Sequence, residues 1–240
     1  MPLTKIQARQ VKTQLMRHTN HTRIVKINLN KKNKLNLIVE KDVFAPDIMS
    51  SSLILARFIA KNQMLFQNRS CLDIGCGSGI LGILMAKAGA REVDFTDINP
   101  KAIENTKKNI TMQKLRNCNV FKGNLFSALP KKKYDNIIFN HPFFPEKAEN
   151  VKIPRSFMLK KSMLGGTELI KEFFNHVSKY LKNNQSIIIM PYFQFAGPEN
   201  DPKNQLAKSS LKIIKELHIH SKKGTQKGKF SIYLIGLKSS

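Results

Sequence analysis

Several residue and segment types are scarce in this chain, and each shortage excludes a class of protein. Tryptophan is absent, and three cysteines in 240 residues are too few for the disulfide framework of a small secreted domain. No apolar run approaches the roughly 18 residues of a membrane-spanning helix. The first residues are polar and include Lys5 and Arg9, unlike the apolar centre of a secretory signal peptide. We therefore expect a reduced, cytoplasmic protein with no membrane segment.

Acidic residues are also scarce, with 16 Asp and Glu against 41 Lys and Arg, which gives a formal net charge of +25 and a pI near 10.1. Such a charge attracts polyanions and speeds their encounter with the protein. It predicts a nucleic-acid partner, most naturally RNA or a ribosomal particle. A coding bias toward lysine, asparagine and isoleucine, which would decorate any surface, is the alternative explanation.

Histidine and cysteine are not arranged as metal ligands. Cys71 and Cys76 bracket a predicted strand and have no histidine nearby in the sequence. His218 and His220 would share one face of a late strand, but no further ligand cluster accompanies them. We expect no metal site.

Residues 72–82, Leu-Asp-Ile-Gly-Cys-Gly-Ser-Gly-Ile-Leu-Gly, predict a buried strand, a glycine turn and the start of a helix. Gly75, Gly77 and Gly79 alternate in the turn, where glycine tolerates positive φ and lets a ligand approach the backbone closely. The helix predicted over residues 80–88 offers free N–H groups at its start. Together these features indicate a site for a nucleotide-like ligand.

The same turn contains Gly77-Ser-Gly79-Ile-Leu-Gly82, which also fits the fingerprint of dinucleotide sites. Two details disfavour a dinucleotide. The fingerprint begins two residues late relative to the strand end, and Asp73 would face the ligand cleft, where its carboxylate would repel a pyrophosphate. A cationic ligand with an amino group and a sulfonium would not be repelled.

The segment Asp73-Ile-Gly75-Cys-Gly77-Ser-Gly79 resembles the first motif of class I S-adenosylmethionine-dependent methyltransferases. The resemblance implies that S-adenosyl-L-methionine is the cofactor. It also implies that Asp73 and the glycine turn hold its methionine portion.

The resemblance implies cofactor contacts for three later residues. Asp97, 20 residues beyond Gly77, would accept hydrogen bonds from the ribose hydroxyls, and Ile98 would lie against the adenine. Asn124, after the third predicted strand, would bind the adenine amine. Asp97 can also cap the helix that starts at Pro100, and asparagine after glycine is common in plain turns.

Asn140-His141-Pro142-Phe143 follows the fourth predicted strand and resembles the Asn-Pro-Pro-Tyr/Phe motif of amino-methyltransferases. This branch includes small-domain methyltransferases that act on ribosomal RNA guanine and on release-factor glutamine. Their targets are planar nitrogens, which are poor nucleophiles because the lone pair is delocalised. The Asn140 oxygen and the His141 carbonyl would accept the two N–H bonds, and Phe143 would stack on the flat target.

His141 stands where the common motif has proline. Because the role at this position belongs to a backbone carbonyl, the replacement need not remove activity. Pro142 restricts His141 to an extended conformation, which fixes that carbonyl. The imidazole itself could touch the substrate or be incidental.

Strands and helices alternate after residue 43 in the manner of a doubly wound α/β fold. Strands are predicted over residues 70–74, 91–96, 119–122, 134–139 and 186–190, and helices over 47–63, 80–88, 100–113 and 167–181. A closing antiparallel pair over about 212–220 and 230–237 resembles the usual end of this methyltransferase fold. We expect a mostly parallel seven-stranded sheet in a Rossmann-like methyltransferase domain over residues 43–240.

Residues 1–42 are predicted to form a basic N-terminal extension, made of a helix and a β-hairpin. Lys31, Lys32 and Lys34 crowd the hairpin tip, either as a finger for phosphates or as a solvated turn. A loop over about residues 143–161 is long enough to act as a lid.

The sequence therefore predicts an N-methyltransferase acting on a planar amine, with an exocyclic base nitrogen in ribosomal RNA as the leading target. N5-methylation of a glutamine in a translation protein, such as a release factor, uses the same pocket chemistry and is the alternative. A small-molecule N-methyltransferase is a third possibility. A cofactor- or RNA-binding module without catalysis is disfavoured, because the expected site residues all occur together.

Overall fold

The computed structural model describes residues 3–18, 21–30, 33–47, 50–144, 157–206, 209–220 and 229–238. The strands are β1 (Arg23–Asn28), β2 (Lys34–Val39), β3 (Ser70–Ile74), β4 (Glu92–Asp97), β5 (Cys118–Lys122), β6 (Asn136–Phe139), β7 (Ile187–Phe193), β8 (Leu211–His220) and β9 (Lys229–Leu237). The helices are α1 (Lys5–Arg17), α2 (Ser50–Lys61), α3 (Ile80–Lys87), α4 (Pro100–Met112), α5 (Phe157–Lys161), α6 (Gly166–His176) and α7 (Lys203–Leu206). Lys31 and Lys32 of the hairpin tip, and residues 145–156 of the predicted lid loop, lie outside the described residues.

The longest of these helices, α1 and α4, have 13 residues each. A helix needs about 20 apolar residues to cross a bilayer. In the described part of the chain, no helix has the length and apolar character for that.

A seven-stranded sheet with the order β5-β4-β3-β6-β7-β9-β8 forms the centre of the molecule. Neighbouring strands from β5 to β7 are parallel, and β9 runs antiparallel to both β7 and β8. The predicted doubly wound sheet with a closing antiparallel pair is confirmed. The chain turns to opposite sides of β3 when it adds β4 and β6. Ligands of open α/β sheets bind at such a reversal, beyond the carboxyl ends of the strands.

The central strands are buried on both faces, as expected for parallel strands covered by helices. Every residue of β3 and β6 is buried. The covering helix α3 is buried from Ile80 to Ala86. A Cβ atom on Gly82 would lie 2.1 Å from the Phe95 ring, so glycine is what allows α3 to pack this closely on β4.

Several boundaries differ from the sequence prediction because distant segments override the local pattern. The helix predicted to residue 181 ends at His176, and Val177–Tyr180 tightens into a 3-10 turn. After that turn, Leu181 meets Tyr134 in a parallel bridge. The strand predicted over 186–190 continues to Phe193, because its pairing with β9 continues that far.

The N-terminal hairpin of β1 and β2 is built into the main core. Its alternating apolar side chains pack in one cluster with residues of α2, β3, α3 and β4; these hairpin side chains are Val25, Ile27, Leu35, Leu37 and Val39. No gap in the apolar core separates the described hairpin from the sheet domain. The hairpin therefore supports the sheet domain directly.

Amide side chains on α4 bind the outer edge of β2. Asn109 Oδ1 accepts from the Ile38 N–H at 2.7 Å, and the Nδ2 groups of Asn105 and Asn109 both donate to the Ile38 carbonyl at 2.8 Å. Asn109 Nδ2 also donates to the Ser78 carbonyl in the glycine turn at 2.9 Å. These bonds satisfy an otherwise unpaired strand edge and connect the hairpin to the glycine turn.

We predict that Asn109→Ala destabilises the protein by about 1–3 kcal/mol, because the Ile38 N–H and the Ile38 and Ser78 carbonyls lose this partner. Urea unfolding followed by circular dichroism would show a lower midpoint with an unchanged slope. Lys107→Ala is the matched control, because Lys107 is an exposed residue on the same helix. Equal midpoints for the two variants would contradict a structural role for the Asn109 amide.

Candidate active site

A cleft of about 300 Å³ opens beyond the carboxyl ends of β3, β4 and β6. The structure brings together most of the sequence-predicted site residues on its wall, namely Gly75, Gly77, Asp97, Ile98, Asn124, Asn140 and Pro142. Four other predicted residues lie behind the wall, namely Asp73, Gly79, His141 and Phe143. Most of the predicted residues therefore meet at one cleft, although four of them do not line it.

The glycine turn has the backbone geometry that only glycine adopts freely. Gly75, Gly77 and Gly79 have φ values of +66°, +57° and +80°, and Gly79 caps the start of α3. Asp97 holds this turn, because its Oδ2 accepts from the Gly77 N–H at 2.9 Å. Its Oδ1 accepts from the Asn99 N–H at 2.8 Å, which also aligns the start of α4 with the cleft.

Asp73 lies behind the glycine turn and not on the cleft wall. Its side chain is buried, and its Oδ2 accepts from the Gly82 N–H at 2.8 Å. Burial raises the pKa of Asp73 to about 7 against the opposing effect of the Gly82 N–H, and the Asp97 carboxylate adds to the rise. The expectation that Asp73 faces the ligand is therefore corrected. This carboxyl group fixes the position of α3 under the turn.

Ile98 and Asn124 stand on the side of the cleft expected for an adenine ring. Ile98 is 39% exposed and presents apolar surface to the cleft. Asn124 Nδ2 donates to a Glu172 carboxylate oxygen at 3.2 Å. That bond turns the amide oxygen of Asn124 away from Glu172, so that it is oriented to accept a hydrogen bond.

Asn140 directly follows β6 and has an unusual environment. Its Nδ2 donates to Ser52 Oγ at 3.0 Å. Its Oδ1 is buried and has no hydrogen-bond partner among the described residues. A buried, unpaired polar atom costs about 1–3 kcal/mol, so an orphaned acceptor on a cleft wall points to a ligand with an N–H or O–H group.

His141 does not reach into the cleft. Its ring is buried, with Nδ1 2.8 Å from the Pro142 carbonyl oxygen and Nε2 3.0 Å from the Pro191 carbonyl oxygen. Burial lowers the pKa of His141 to about 4 against the effect of these two carbonyls. The ring ties the loop after β6 to β7, which leaves the backbone carbonyl as the group of His141 with a predicted role at the target.

Phe143 is buried as well and does not line the cleft, so its stacking on a target stays a prediction. Its ring lies edge-to-face against His141 and Phe230, with centroid distances of 5.0 and 6.0 Å. It belongs to an apolar cluster that includes Val11 and Leu15 of α1. The apolar stripe of α1 therefore covers the back of the loop, a long-range contact that local sequence patterns do not reveal.

The glycine pair before α6 lets that helix start against the same loop. The Phe144 carbonyl accepts from the N–H groups of Gly165 and Gly166 at 2.8 and 2.9 Å. A Cβ atom on Gly166 would lie 2.1 Å from the Pro142 carbonyl oxygen. The loop carrying Asn140 is thus clamped between α6, β7 and α1.

The cleft wall is acidic although the chain is basic. Asp42, Asp97, Glu168 and Glu172 line it, against Lys161 alone among the described lysines and arginines, while the whole chain carries +25. Burial raises the pKa of Asp97, which a positively charged ligand would oppose. The cleft therefore suits a cationic ligand, and the excess positive charge lies outside it.

Residues 34–190, more than half of the chain, match the family model of the methyltransferase small domain. The chain belongs to this family. It is 34% identical over 137 residues to a Methanocaldococcus jannaschii protein named as an N5-glutamine methyltransferase, a match that covers 55% of this chain and 66% of that protein.

Further similarities agree with the family and the fold. The chain is 28% identical over 160 residues to the release factor glutamine methyltransferase of Coxiella burnetii, covering 65% of this chain and 56% of that protein. The matches thus span less than two thirds of each relative. A T. thermophilus 16S rRNA guanine N2 methyltransferase, solved with AdoMet and guanosine, superposes with a TM-score of 0.63 at 16% identity, covering 92% of this chain and 52% of that one.

Several cleft residues of this small-domain methyltransferase escaped the sequence analysis. Asp42, Phe44 and Ser52 precede the glycine turn in the chain, and Glu168 and Glu172 lie on α6. That helix was identified by its apolar side alone. The four-residue spacing of the two glutamates, which places them on one helix face, was the available signal.

The amino end of β2 lies away from the cleft. The Asn36 carbonyl accepts from Gln113 just past the end of α4, whereas the Asp42 carbonyl accepts from Asn99 just before its start. The strand β2 therefore runs antiparallel to α4, and only its carboxyl end approaches the cleft. This arrangement favours a supporting role for the described part of the hairpin.

We predict that Asp73→Asn stabilises the protein increasingly as the pH rises from about 4 to 7. The folded-state pKa of Asp73 is raised to about 7 from an ordinary value of 3.8, so the folded state holds a proton that the unfolded state releases in this range. Between these pH values the free energy of unfolding of the wild type therefore falls relative to that of the variant, by on the order of 4 kcal/mol at most. Urea unfolding at several pH values measures the difference.

Asp135→Asn is the control of opposite sign. Although burial opposes it, hydrogen bonds from Ser70 hold the pKa of Asp135 below its ordinary value. This carboxylate contributes stability above the unfolded pKa, which is lost as the pH falls. The Asp135→Asn variant is therefore expected to be less stable than wild type at pH 7. In acid the stabilities of the two proteins should converge. Parallel pH profiles for wild type and Asp73→Asn would contradict the assignment.

Proposed function

We propose that this small-domain methyltransferase transfers a methyl group from S-adenosylmethionine to a planar nitrogen, with an exocyclic nitrogen of an RNA base as its leading target. The observation that carries the proposal is the orphaned Asn140 Oδ1 on the cleft wall. An amide oxygen without a hydrogen-bond partner at this position could accept an N–H group of a bound amine.

The residues on the cleft wall fit the expected cofactor. Its sulfonium and amino groups are positive, and the lining is acidic. The left-handed glycine turn allows close approach of the methionine portion. Asp97 keeps lone pairs for the ribose hydroxyls, and Ile98 offers an apolar face to the adenine. When bound, S-adenosylmethionine supplies an electrophilic methyl group on a positively charged sulfur.

Asn140 would orient the target nitrogen. Its Oδ1 accepts one N–H of the planar amine and turns the nitrogen lone pair out of conjugation, toward the donor side of the cleft. The nitrogen gains a methyl group and releases one proton to solvent, so the charge balances without a base on the protein. The rate acceleration would come from holding the target nitrogen in line with the methyl group and from dipoles that are already fixed in the site. His141, the source of the second predicted acceptor, does not line the cleft, so the proposal rests on Asn140.

The distribution of charge supports an RNA target. A base extruded from its stack is flat and uncharged, and the cleft offers it apolar walls that include Phe44, Leu164 and Leu169. The flanking phosphates would remain outside the cleft, where the excess positive charge of the chain lies. Since Phe143 is buried, the apolar contacts to the base would come from these other side chains.

A glutamine side-chain amide is the second candidate target. The observation in its favour is the similarity, at 34% and 28% identity, to proteins named as glutamine methyltransferases. An amide nitrogen is also planar and carries two N–H groups, so Asn140 would serve it in the same way. In that case the target would belong to a translation protein.

We predict that Asn140→Ala lowers methyl transfer by at least about 100-fold, because the target nitrogen loses its orienting acceptor. Cofactor affinity, measured by calorimetry, should change by less than about twofold. Asn124→Ala, on the adenine side of the cleft, should show the reverse pattern of weaker cofactor binding. If Asn140→Ala weakened cofactor binding as much as transfer, the proposed role would be wrong.

The target class is tested with radiolabelled methyl transfer into a fractionated cell extract that contains ribosomes, transfer RNA and proteins. Label removed by ribonuclease supports the RNA target, and its transfer rate should fall steeply as salt is raised. Label removed by protease, with weak salt dependence, supports the glutamine target. Cofactor binding without label in either fraction would overturn both.

A further inference from the structure

A serine on α2 holds the side chain on which the proposed function rests. Ser52 Oγ lies 3.0 Å from Asn140 Nδ2 and accepts its hydrogen bond. Both residues line the cleft, and the Ser52 side chain is only 3% exposed. Ser52 belongs to neither the glycine turn nor the segment after β6 from which the target site was inferred.

The two ends of the Asn140 amide present opposite chemistry. With the oxygen toward the cleft the site accepts an N–H group, and with the nitrogen toward the cleft it would instead donate to a carbonyl or ring acceptor. Among the described residues, the bond to Ser52 is the hydrogen bond recorded for this amide. In this arrangement Ser52 engages the nitrogen end of the amide and leaves the oxygen end without a partner among the described residues.

Helix α2 gives Ser52 a rigid support. The helix packs against α3, and its residues Leu55 and Ile59 are fully buried in the main apolar cluster. A hydroxyl group on a packed helix positions its partner more accurately than one on a mobile loop.

We propose that Ser52 is a positioning residue that keeps the Asn140 amide oxygen turned into the cleft. This inference rests on the proposed N-methyl transfer and makes it more specific. The site selects ligands that donate N–H groups and rejects ligands that present a carbonyl oxygen or a bare ring nitrogen. Ser52 acts through Asn140 and needs no contact with the target.

The first test needs no activity. In isotope-labelled protein, the side-chain NH₂ signal of Asn140, assigned by its loss in Asn140→Ala, should exchange slowly with solvent. Ser52→Ala should speed this exchange at least several-fold, while Ser51→Ala should not. Ser51 is the matched control because it is a buried serine beside Ser52 on α2. Equal exchange in wild type and Ser52→Ala would overturn the proposal.

The second test uses methyl transfer. Ser52→Ala should lower kcat about tenfold, the effect of one positioning hydrogen bond, with cofactor affinity unchanged and Ser51→Ala close to wild type. In the Asn140→Asp background both ends of the side chain are oxygens, so orientation no longer matters. There Ser52→Ala should cost less than about twofold, a non-additivity that a merely structural role would not produce.

The outcomes separate this inference from the proposed function. If Asn140→Ala abolishes transfer but Ser52→Ala behaves like Ser51→Ala in both tests, the positioning role is overturned and the function stands. If Asn140→Ala leaves transfer intact, the proposed function fails. The exchange measurement then still decides whether Ser52 orients the amide.

Discussion

The hydrogen bonds that hold the turn between β3 and α3 are the constraint on which the rest of the site depends. Three glycines in the left-handed region lose much conformational freedom on folding. Separate elements supply the compensating bonds. Asp97 on β4 binds the Gly77 N–H, and Thr106 and Asn109 on α4 bind the Gly77 and Ser78 carbonyls at 3.0 and 2.9 Å. A loop held from several sides keeps one shape before any ligand arrives.

The loop after β6 is also held by contacts from several separate elements. Ser52 on α2 contacts Asn140, Gly166 on α6 lies against Pro142, and Pro191 on β7 receives the His141 ring. These contacts come from parts of the chain far apart in sequence. They leave one buried acceptor, Asn140 Oδ1, without a hydrogen-bond partner among the described residues. The loop backbone therefore has little freedom to move that acceptor away from a target.

The charge of the protein is divided between two regions. The cleft collects acidic side chains from three separate parts of the fold, namely Asp42 after β2, Asp97 at the end of β4, and Glu168 and Glu172 on α6. The chain as a whole is strongly basic. Net charge alone describes how the protein meets a large polyanion. The local lining describes what fits inside the cleft, and the two have opposite sign. A cationic cofactor and an uncharged target group are compatible with both.

The sequence by itself determined the doubly wound sheet with its closing antiparallel pair, the glycine turn and the position of Asn140 after a strand. Local sequence patterns predict these features, namely apolar strands, the spacing of glycines and the residues at strand ends. Only the tertiary structure decided that Asp73 and His141 turn away from the cleft, that α1 buries Phe143, and that Ser52 reaches Asn140. The reason is physical. The direction of a side chain depends on which distant element packs beside it, and the spacing of residues along the sequence does not identify that element.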